Sequence, residues 1–323
     1  MNALIDMIKI SRDLSENTLK NYGRTLMRLQ KMVGIKDIPI FLEDGTLLAK
    51  IKTDFKKPYQ INLLSSMIVA MSSYIENIPN EIIEIKLKDY RKYQMEIREE
   101  LDKGKYAQTK SPNEETNWTS YKSLHDATKT NFKAINKIIK RADEIDMKDA
   151  KLVMNWVISM LYAGSTQNPP MRLDYNNMII ISKEDYAKEH LEKQNYLVVH
   201  SNRTKYFVFA EYKTFKTYGK KSIKLAPGLN RMINKWMQVK NKIRGINSNY
   251  LLFNNKGNPV NESSMSIYMS DAFAPTGKHI TANLIRHIFI SDIVNKLALT
   301  DRKKISDQMC HSLEMSLCYE KND

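Results

Sequence analysis

The stretch NYLVVHSNRTKYFVFAEYKTFKTYGKKSIKLA, residues 195–226, carries the strongest strand pattern in the sequence. Three of its segments are rich in Val, Ile, Tyr and Phe, which favour β-structure: NYLVVHS, KYFVFAEY and SIKLA. Asn202, Arg203 and Gly219 lie between these segments, where the chain would turn. The stretch therefore predicts a small antiparallel β-sheet.

On both sides of this stretch the sequence favours helices. Only 10 glycines and 9 prolines occur in 323 residues, so helix-breaking residues are scarce. Ser15 is a typical helix N-cap. The apolar residues after it recur at three- and four-residue spacing: Leu19, Tyr22, Leu26 and Leu29. Residues 149–164 are apolar nearly all round and predict a buried helix. The expected fold class is mainly α, an α+β chain with one sheet embedded in helices.

The sequence also divides into domains. The helical pattern stops near Gly104, and the residues from there to Pro112 and beyond are polar and aperiodic. We therefore predict a helical domain over 1–105, a linker over 106–117, and a larger helical domain with the sheet over 118–323.

The composition bounds the classes of partner. There are 51 Lys and Arg against 36 Asp and Glu, and the net charge of +15 favours a polyanion, most simply nucleic acid. Lysine-rich sequences are also often merely soluble, so charge alone leaves both alternatives open. No stretch approaches the roughly 18 consecutive apolar residues of a membrane span, and the N-terminus lacks the features of a secretory signal. We expect an intracellular protein that is not secreted and has no membrane partner.

Cysteine and histidine usage argues against a metal centre. Cys310 and Cys318 are the only cysteines, and they do not make a disulfide framework. The six histidines are scattered, and neither Cys-x-x-Cys nor His-Glu-x-x-His occurs. The sequence therefore predicts a reduced protein without a metal site.

Two patterns after the linker present basic side chains in loops. PPMRLDY (169–175) places Arg172 at a helix end, where it could reach a ligand or pair with Asp174. The turn KTFKTYGKKSIKL (213–225) gathers four lysines: Lys213, Lys216, Lys220 and Lys221. Clustered ammonium groups at a hairpin tip suit a phosphate contact, although a solvated turn is the alternative.

Two further patterns lie nearer the C-terminal end. NLIRHIFISDIV (283–294) puts Arg286 and His287 inside an otherwise apolar helix. A buried arginine is costly unless it is paired or faces a ligand, so a structural salt bridge is the alternative. MCHSLEMSLCYEK (309–321) carries His311 and, eight residues on, Tyr319, which could equally be a docked core side chain.

Taken in order, these patterns resemble the catalytic series of the tyrosine recombinases: Arg, a hairpin Lys, a second Arg, His-Ser and Tyr. LSENTLKNYGRTLMRL resembles the start of that family's N-terminal core-binding, DNA-clamping domain, and ETNWTSYKSL resembles the entry to its catalytic domain. The resemblance thus covers nearly the full chain. PP-x-R-x-DY, LIRHIF and M-x-HS…Y are similar to the subgroup encoded by large DNA viruses and their mobile elements.

The resemblance implies which residues act on a phosphodiester. Tyr319 would attack the phosphorus and form a 3′-phosphotyrosyl link. Arg172 and Arg286 match the two arginines that neutralise the nonbridging oxygens. His311 matches the histidine that hydrogen-bonds the scissile phosphate.

The resemblance implies that a lysine of the hairpin gives a proton to the leaving group. Lys216 matches the family's general acid, which protonates the 5′-oxygen, and Lys213 is the alternative. Because the covalent intermediate stores the bond energy, the resemblance implies no metal, ATP or other cofactor. Lys220, Lys221 and His287 are expected to contact DNA.

Three departures from the family pattern stand in the sequence. The family has His or Lys three residues before the second arginine, where this chain has Asn283, an amide that can donate a hydrogen bond but cannot be a cation; His279 and His287 lie at other spacings. The family acid follows the first arginine by three residues, whereas Asp174 follows Arg172 by two. Only four residues follow Tyr319, fewer than the segment that many recombinases exchange between protomers.

The resemblance therefore implies a metal- and ATP-independent site-specific recombinase or integrase. Its partner would be double-stranded DNA, held as a homotetramer during synapsis and as a monomer or weak oligomer when free. Two alternatives remain open at this point. A type IB topoisomerase-like enzyme would use the same chemistry to relax DNA, and an inactive DNA-binding relative would explain Asn283.

Overall fold

The computed structural model of the protein describes residues 1–105, 108–141 and 143–321. Across these residues the chain forms sixteen α-helices and four short β-strands. It divides into two compact units, Met1–Ala107 and Gln108–Asp323. The prediction of a mainly α chain with a small sheet is confirmed. None of the described helices is long and apolar enough to cross a membrane.

In its described residues the first unit consists of helices. Their bounds are α1 (Asn2–Ser11), α2 (Glu16–Val33), α3 (Ile38–Glu43), α4 (Gly45–Asp54), α5 (Lys57–Asn77) and α6 (Glu81–Lys105). The Ser15 side chain caps α2 by accepting a hydrogen bond from the Thr18 amide, as the sequence predicts. Leu26 and Leu29 of α2 are buried in the core of this unit, whose central helix α5 packs against α1 and α6.

The second unit holds the sheet among ten helices in its described residues. In chain order they are α7 (Pro112–Asn117), α8 (Tyr121–Ile139), α9 (Met147–Ala163), β1 (Ile179–Ser182), α10 (Lys183–Glu189), β2 (Tyr196–Val199), β3 (Lys205–Phe209), α11 (Phe215–Tyr218), β4 (Lys221–Lys224), α12 (Pro227–Lys240), α13 (Glu262–Ala272), α14 (Ala282–Asp292), α15 (Leu299–Gln308) and α16 (Leu313–Tyr319). Short 3₁₀ turns follow α13 and α14. The apolar helix α9 packs against α8, α12 and α13 and is largely buried.

The sheet differs from the predicted antiparallel one. Its strand order is β1-β2-β3-β4, and only the β2–β3 and β3–β4 pairs are antiparallel. β1 pairs with β2 in parallel, with Ile179 opposite Tyr196. A parallel pair needs a crossover connection, and α10 supplies part of it. The predicted antiparallel sheet is therefore corrected to a mixed one.

The predicted linker over 106–117 is corrected in its second half. Ser111 and Glu114 form a capping box, and Pro112 occupies the first turn, so residues 112–117 fold as α7. The Lys278 ammonium donates to the Thr116 carbonyl at 2.8 Å. These contacts make α7 part of the second unit. The beginning of the predicted linker, Tyr106 and Ala107, lies outside the described residues.

Candidate active site

The site begins with α14, whose apolar faces are buried in the second unit. Arg286 lies on this helix and is 0% exposed. Its Nη1 donates to the Pro170 carbonyl at 2.9 Å, and this carbonyl belongs to the loop that also carries Arg172. The helix therefore fixes one arginine directly and touches the loop that carries the other.

The loop after α9 holds Arg172 through its backbone. The Tyr162 hydroxyl, on α9, donates a hydrogen bond to the Arg172 carbonyl. Asn195 donates to the Asp174 carbonyl at 3.0 Å, which ties the loop to the start of β2. Tyr175 is buried and packs edge-on against Tyr162. The half-buried Arg172 side chain thus projects from a backbone that is fixed on both sides.

Tyr319 is the last residue of α16, and its side chain lies next to Arg286. The guanidinium carbon of Arg286 lies 5.1 Å from the centre of the Tyr319 ring. The rings of His287 and His311 lie 4.7 and 5.4 Å from it, centre to centre. The structure therefore brings together four of the five predicted catalytic residues: Tyr319, Arg286, His311 and Arg172. Arg172 is included because its charge lowers the pKa of Tyr319.

Hydrogen bonds on both sides hold α16 in this position. Before it, Ser312 caps the helix by accepting from the Met315 amide at 3.0 Å. After it, the Lys321 amide donates to the Ser291 hydroxyl of α14 at 2.8 Å, and Arg302 pairs with Glu320 at 3.0 Å. The tyrosine is thus held from α14 and α15.

A strained turn presents His311. Cys310 has a φ of 55°, in the left-handed region that a side chain rarely adopts, and the His311 amide donates to the Ser306 carbonyl at 3.1 Å. The His311 ring is 3% exposed. Burial, reinforced by the charges of Arg286 and Arg172, lowers the pKa of His311 to about 3. The imidazole is therefore neutral at neutral pH.

The two arginines lower the pKa of the Tyr319 phenol. Burial raises the pKa of Tyr319, but the positive charges of Arg286 and Arg172 outweigh burial, and the pKa lies below its usual range. Side-chain contacts of both guanidiniums with the hydroxyl lower the pKa further, although Arg286 Nε and Nη2 make no hydrogen bond of regular geometry with any described residue. The arrangement makes the phenol easier to deprotonate, and the phenolate is its nucleophilic form.

The acid next to these arginines does not cancel their charge in full. Burial raises the pKa of Asp174 to about 6, although Arg172 and Arg286 both oppose that rise. The carboxyl group is therefore partly protonated near neutral pH. Arginine keeps its proton even when burial lowers its pKa, as it does for Arg286. The site is left with a net positive field.

Several donors in the site are unused. In the described part of the chain, Arg286 Nε and Nη2 and both ring nitrogens of His311 have no hydrogen-bond partner of regular geometry. Buried polar groups are usually satisfied, because an unpaired one costs about 1–3 kcal/mol. Guanidinium donors converging with an imidazole suit an anion with several oxygens, such as a phosphodiester.

His287, which the sequence predicts to contact DNA, lies beside Tyr319 inside the site. Its Nδ1 lies 3.1 Å from a Glu114 carboxylate oxygen of α7, and its Nε2 lies 3.1 Å from the Asn283 amide nitrogen. Burial lowers the pKa of His287 to about 4, despite the attraction of Glu114. A neutral ring of this kind orients its neighbours and carries no charge to DNA. The helix α14 turns it inward, one turn after the exposed Asn283.

Lys213 and Lys216 lie in the connection between β3 and β4. This connection contains the helical turn α11 in place of a tight hairpin tip. The Thr214 hydroxyl donates to the Cys310 carbonyl at 2.8 Å, beside His311. Both lysines are exposed. The segment that carries them is therefore anchored at the edge of the site.

Lys220 and Lys221 lie further along the same connection. The Lys221 ammonium pairs with Asp307 of α15 at 2.6 Å. The Lys220 ammonium lies 5.0 Å from the centre of the Tyr186 ring. These interactions join them to α15 and to α10, so they are not part of the cluster around Tyr319.

Glu114 is the site residue that sequence reasoning missed. The Ser-Pro-x-Glu pattern at 111–114 indicates a helix start, and that signal was available in the sequence. Nothing in the pattern indicates that the helix packs on α14. Burial raises the pKa of Glu114, but hydrogen bonds from Ser111 and the nearby His287 and Lys321 reverse this, so the carboxylate is charged.

Comparisons with known proteins add no assignment. No protein-family model matches the sequence, and no curated protein is a significant match. In the described part of the chain, no group of three His, Cys, Asp or Glu side chains is arranged to hold a metal ion. The function of this chain is therefore inferred from the residues around Tyr319.

Proposed function

We propose that the protein is a DNA strand transferase of the tyrosine recombinase kind, which cleaves and rejoins DNA through a 3′-phosphotyrosyl intermediate. One observation carries the proposal: the Tyr319 ring packs against the buried Arg286, whose remaining donors have no regular partner among the described residues. Buried donors without a regular partner are costly unless a ligand uses them. A transferase needs them for the phosphate.

In the proposed cleavage step each of these groups has one part. Tyr319 gives up its proton to solvent, a loss that the positive charges of Arg172 and Arg286 favour, and its oxygen attacks the phosphorus. The bond to the 5′-oxygen breaks, and Lys216, or Lys213 in its place, gives that oxygen a proton. The guanidiniums and the neutral His311 bind the nonbridging oxygens as their charge grows. Rejoining is the reverse reaction with a 5′-hydroxyl.

The whole-chain charge supports DNA as the partner. A net charge of +15 suits a polyanion, and binding through phosphates would weaken steeply as salt rises. We further propose that two DNA sites are brought together by a homotetramer, whereas the free protein is a monomer or weak oligomer. Relaxation of DNA by a single copy is the alternative outcome, since it uses the same chemistry without synapsis.

A suicide-substrate assay tests the chemistry. Purified protein is incubated without metal or ATP on nicked duplexes taken from the ends of the genome that encodes it, and the products are separated on a denaturing gel. We expect a covalent protein–DNA band that Tyr319→Phe abolishes and Tyr268→Phe, a half-buried control in α13, leaves intact. Wild-type DNA binding without any band, on several candidate ends, would favour an inactive DNA-binding relative.

A second assay separates the two active alternatives. Supercoiled plasmid and paired target duplexes are incubated with the same protein. Exchange of strands between duplexes indicates a recombinase, whereas relaxation without exchange indicates the topoisomerase-like enzyme. Both activities must disappear in Tyr319→Phe.

A further inference from the structure

A second basic site lies away from Tyr319. A cleft of about 700 Å³ opens where the turn between β2 and β3, the end of β4 and the start of α12 meet. Three exposed cations line it: Arg203, Lys224 and Arg231. Among the described residues none of the three side chains has an ion-pair partner, and none of the residues that line the cleft is acidic. Its positive charge is therefore uncompensated.

A buried lysine adds to this field from beneath the cleft. Lys205 is 1% exposed, and its ammonium donates to Asn230 Oδ1 at 3.1 Å and to Asn234 Oδ1 at 2.6 Å. Both asparagines line the cleft. The remaining contacts of the ammonium are backbone carbonyls, so every oxygen around it is neutral. Burial lowers the pKa of Lys205, as expected for a buried cation with no carboxylate beside it.

The start of α12 adds a third contribution of the same sign. Ala226 is its N-cap, Pro227 follows, and no side chain caps the helix. Both residues line the cleft. An uncapped helix N-terminus carries a partial positive charge and favours anions. Here it reinforces cations that already face the same space.

The cleft and the candidate active site share one loop. Gln167 lines the cleft, and Asn168 bonds both the Lys224 carbonyl at 3.0 Å and the Ala226 amide at 2.7 Å. Arg172 lies five residues after Gln167, a span of at most about 18 Å. A DNA strand rises about 3.4 Å per nucleotide, so the Gln167 edge of the cleft and Arg172 are separated by no more than the rise of about five nucleotides.

We propose that this cleft is a second phosphate-binding site that holds the DNA backbone a few nucleotides from the scissile phosphate. Arg203 and Arg231 supply the direct contacts. Lys205, whose donors are already used, supplies charge and fixes the asparagines. The inference rests on the proposed function for the identity of the ligand as DNA, whereas its phosphate chemistry rests on the cleft alone.

The salt dependence of DNA binding tests the site. The variant Arg203→Gln with Arg231→Gln is compared with a matched control, Lys133→Gln with Lys256→Gln, which removes two exposed cations outside the cleft. Affinity for an intact duplex is measured by fluorescence anisotropy from 50 to 200 mM salt. Loss of two phosphate contacts should lower the salt slope by about 2, so that the wild type loses about tenfold more affinity than the variant over this range.

The outcomes separate the two sources of phosphate. If the slope falls in the cleft variant and less in the control, DNA occupies the cleft. Pyrophosphate is titrated against the same proteins by thermal shift, and saturable stabilisation that only the cleft variant loses, with an unchanged DNA slope, identifies a free phosphate ligand instead. Equal slopes in both variants without a pyrophosphate effect would overturn the proposal.

The pyrophosphate arm also separates this proposal from the one it rests on. If the wild type binds no DNA and forms no covalent band, the proposed function fails. The cleft is then judged by pyrophosphate alone. Circular dichroism of each variant confirms that a lost effect does not come from a lost fold.

Discussion

Two buried cations in the second unit differ in how their donors are used. The Lys205 ammonium has four oxygen neighbours for three N–H groups. Arg286 is as deeply buried, yet it makes one regular hydrogen bond, to Pro170, and leaves Nε and Nη2 without a regular partner in the described chain. Burial alone therefore does not separate a structural cation from a functional one. The difference between the two cations lies in the Arg286 donors that have no regular partner among the described residues.

The strongest test of that comparison replaces each of the two buried cations with the other residue type. Arg286→Lys keeps the charge but loses the fork of donors, so covalent adduct formation should slow by about 100- to 1000-fold. Single-turnover kinetics on the nicked duplex measures it. The reciprocal change, Lys205→Arg, should leave the rate near that of the wild type. Equal losses in the two variants would remove the distinction between them.

Removing the structural cation should affect folding and not chemistry. Lys205→Met leaves the oxygens of Asn230 and Asn234 without their donor, which should lower the free energy of unfolding by about 2–3 kcal/mol. Urea unfolding measures this loss. The adduct rate at saturating DNA should stay unchanged, and a rate loss without a stability loss would place Lys205 in the reaction.

The charge around Arg286 should also appear in the pH dependence of stability. Asp174 has a pKa of about 6 in the folded protein and 3.8 ordinarily, so the folded state binds more protons between these values. Stability should therefore fall as pH rises from about 4 to 6, by on the order of 2 kcal/mol. Urea unfolding at several pH values measures this, and the free energy of unfolding should fall less in Asp174→Asn than in the wild type. Identical profiles would contradict the raised pKa.

The smallest expected effect concerns the histidine beside Tyr319. Glu114→Gln removes the charge that opposes burial at His287, so the pKa of His287 should fall further below about 4. The adduct rate should drop by about threefold to tenfold, the scale expected when one close polar contact that positions a side chain is weakened. NMR titration of the ring and single-turnover kinetics are the two readouts. Glu115→Gln, an exposed neighbour, is the matched control and should change neither.

Local sequence patterns predicted those parts of the fold that local interactions determine. Ser15 caps α2, and the apolar stretch at 149–164 is buried as α9. β1 was missed although Met178 and three isoleucines precede Ser182, because a four-residue apolar run does not reveal its partner strand. Parallel pairing with β2 depends on the crossover, which no local pattern encodes.

In the candidate site too, the sequence predicted which residues take part but not how the helices pack around them. Motif order indicated Arg172, Arg286, His311 and Tyr319, and the structure places them together, while their chemical roles stay predictions. The expected DNA contact of His287 stays a prediction, and the side of α14 on which His287 lies packs against α7 and α16. Which face of a helix is covered depends on tertiary packing, so sequence spacing alone could not show it.

The anchoring of α16 has a consequence for how many copies the proposed chemistry needs. Because Ser291 and Arg302 hold the residues after Tyr319 in the same chain, nucleophile and arginines belong to one polypeptide, and cleavage would occur in cis. Mixing Tyr319→Phe with Arg286→Lys protein should then fail to restore the covalent band. Complementation would instead require a tyrosine donated in trans. Under the proposed function, each copy would carry all the groups that cleavage needs, and assembly would govern only which ends are joined.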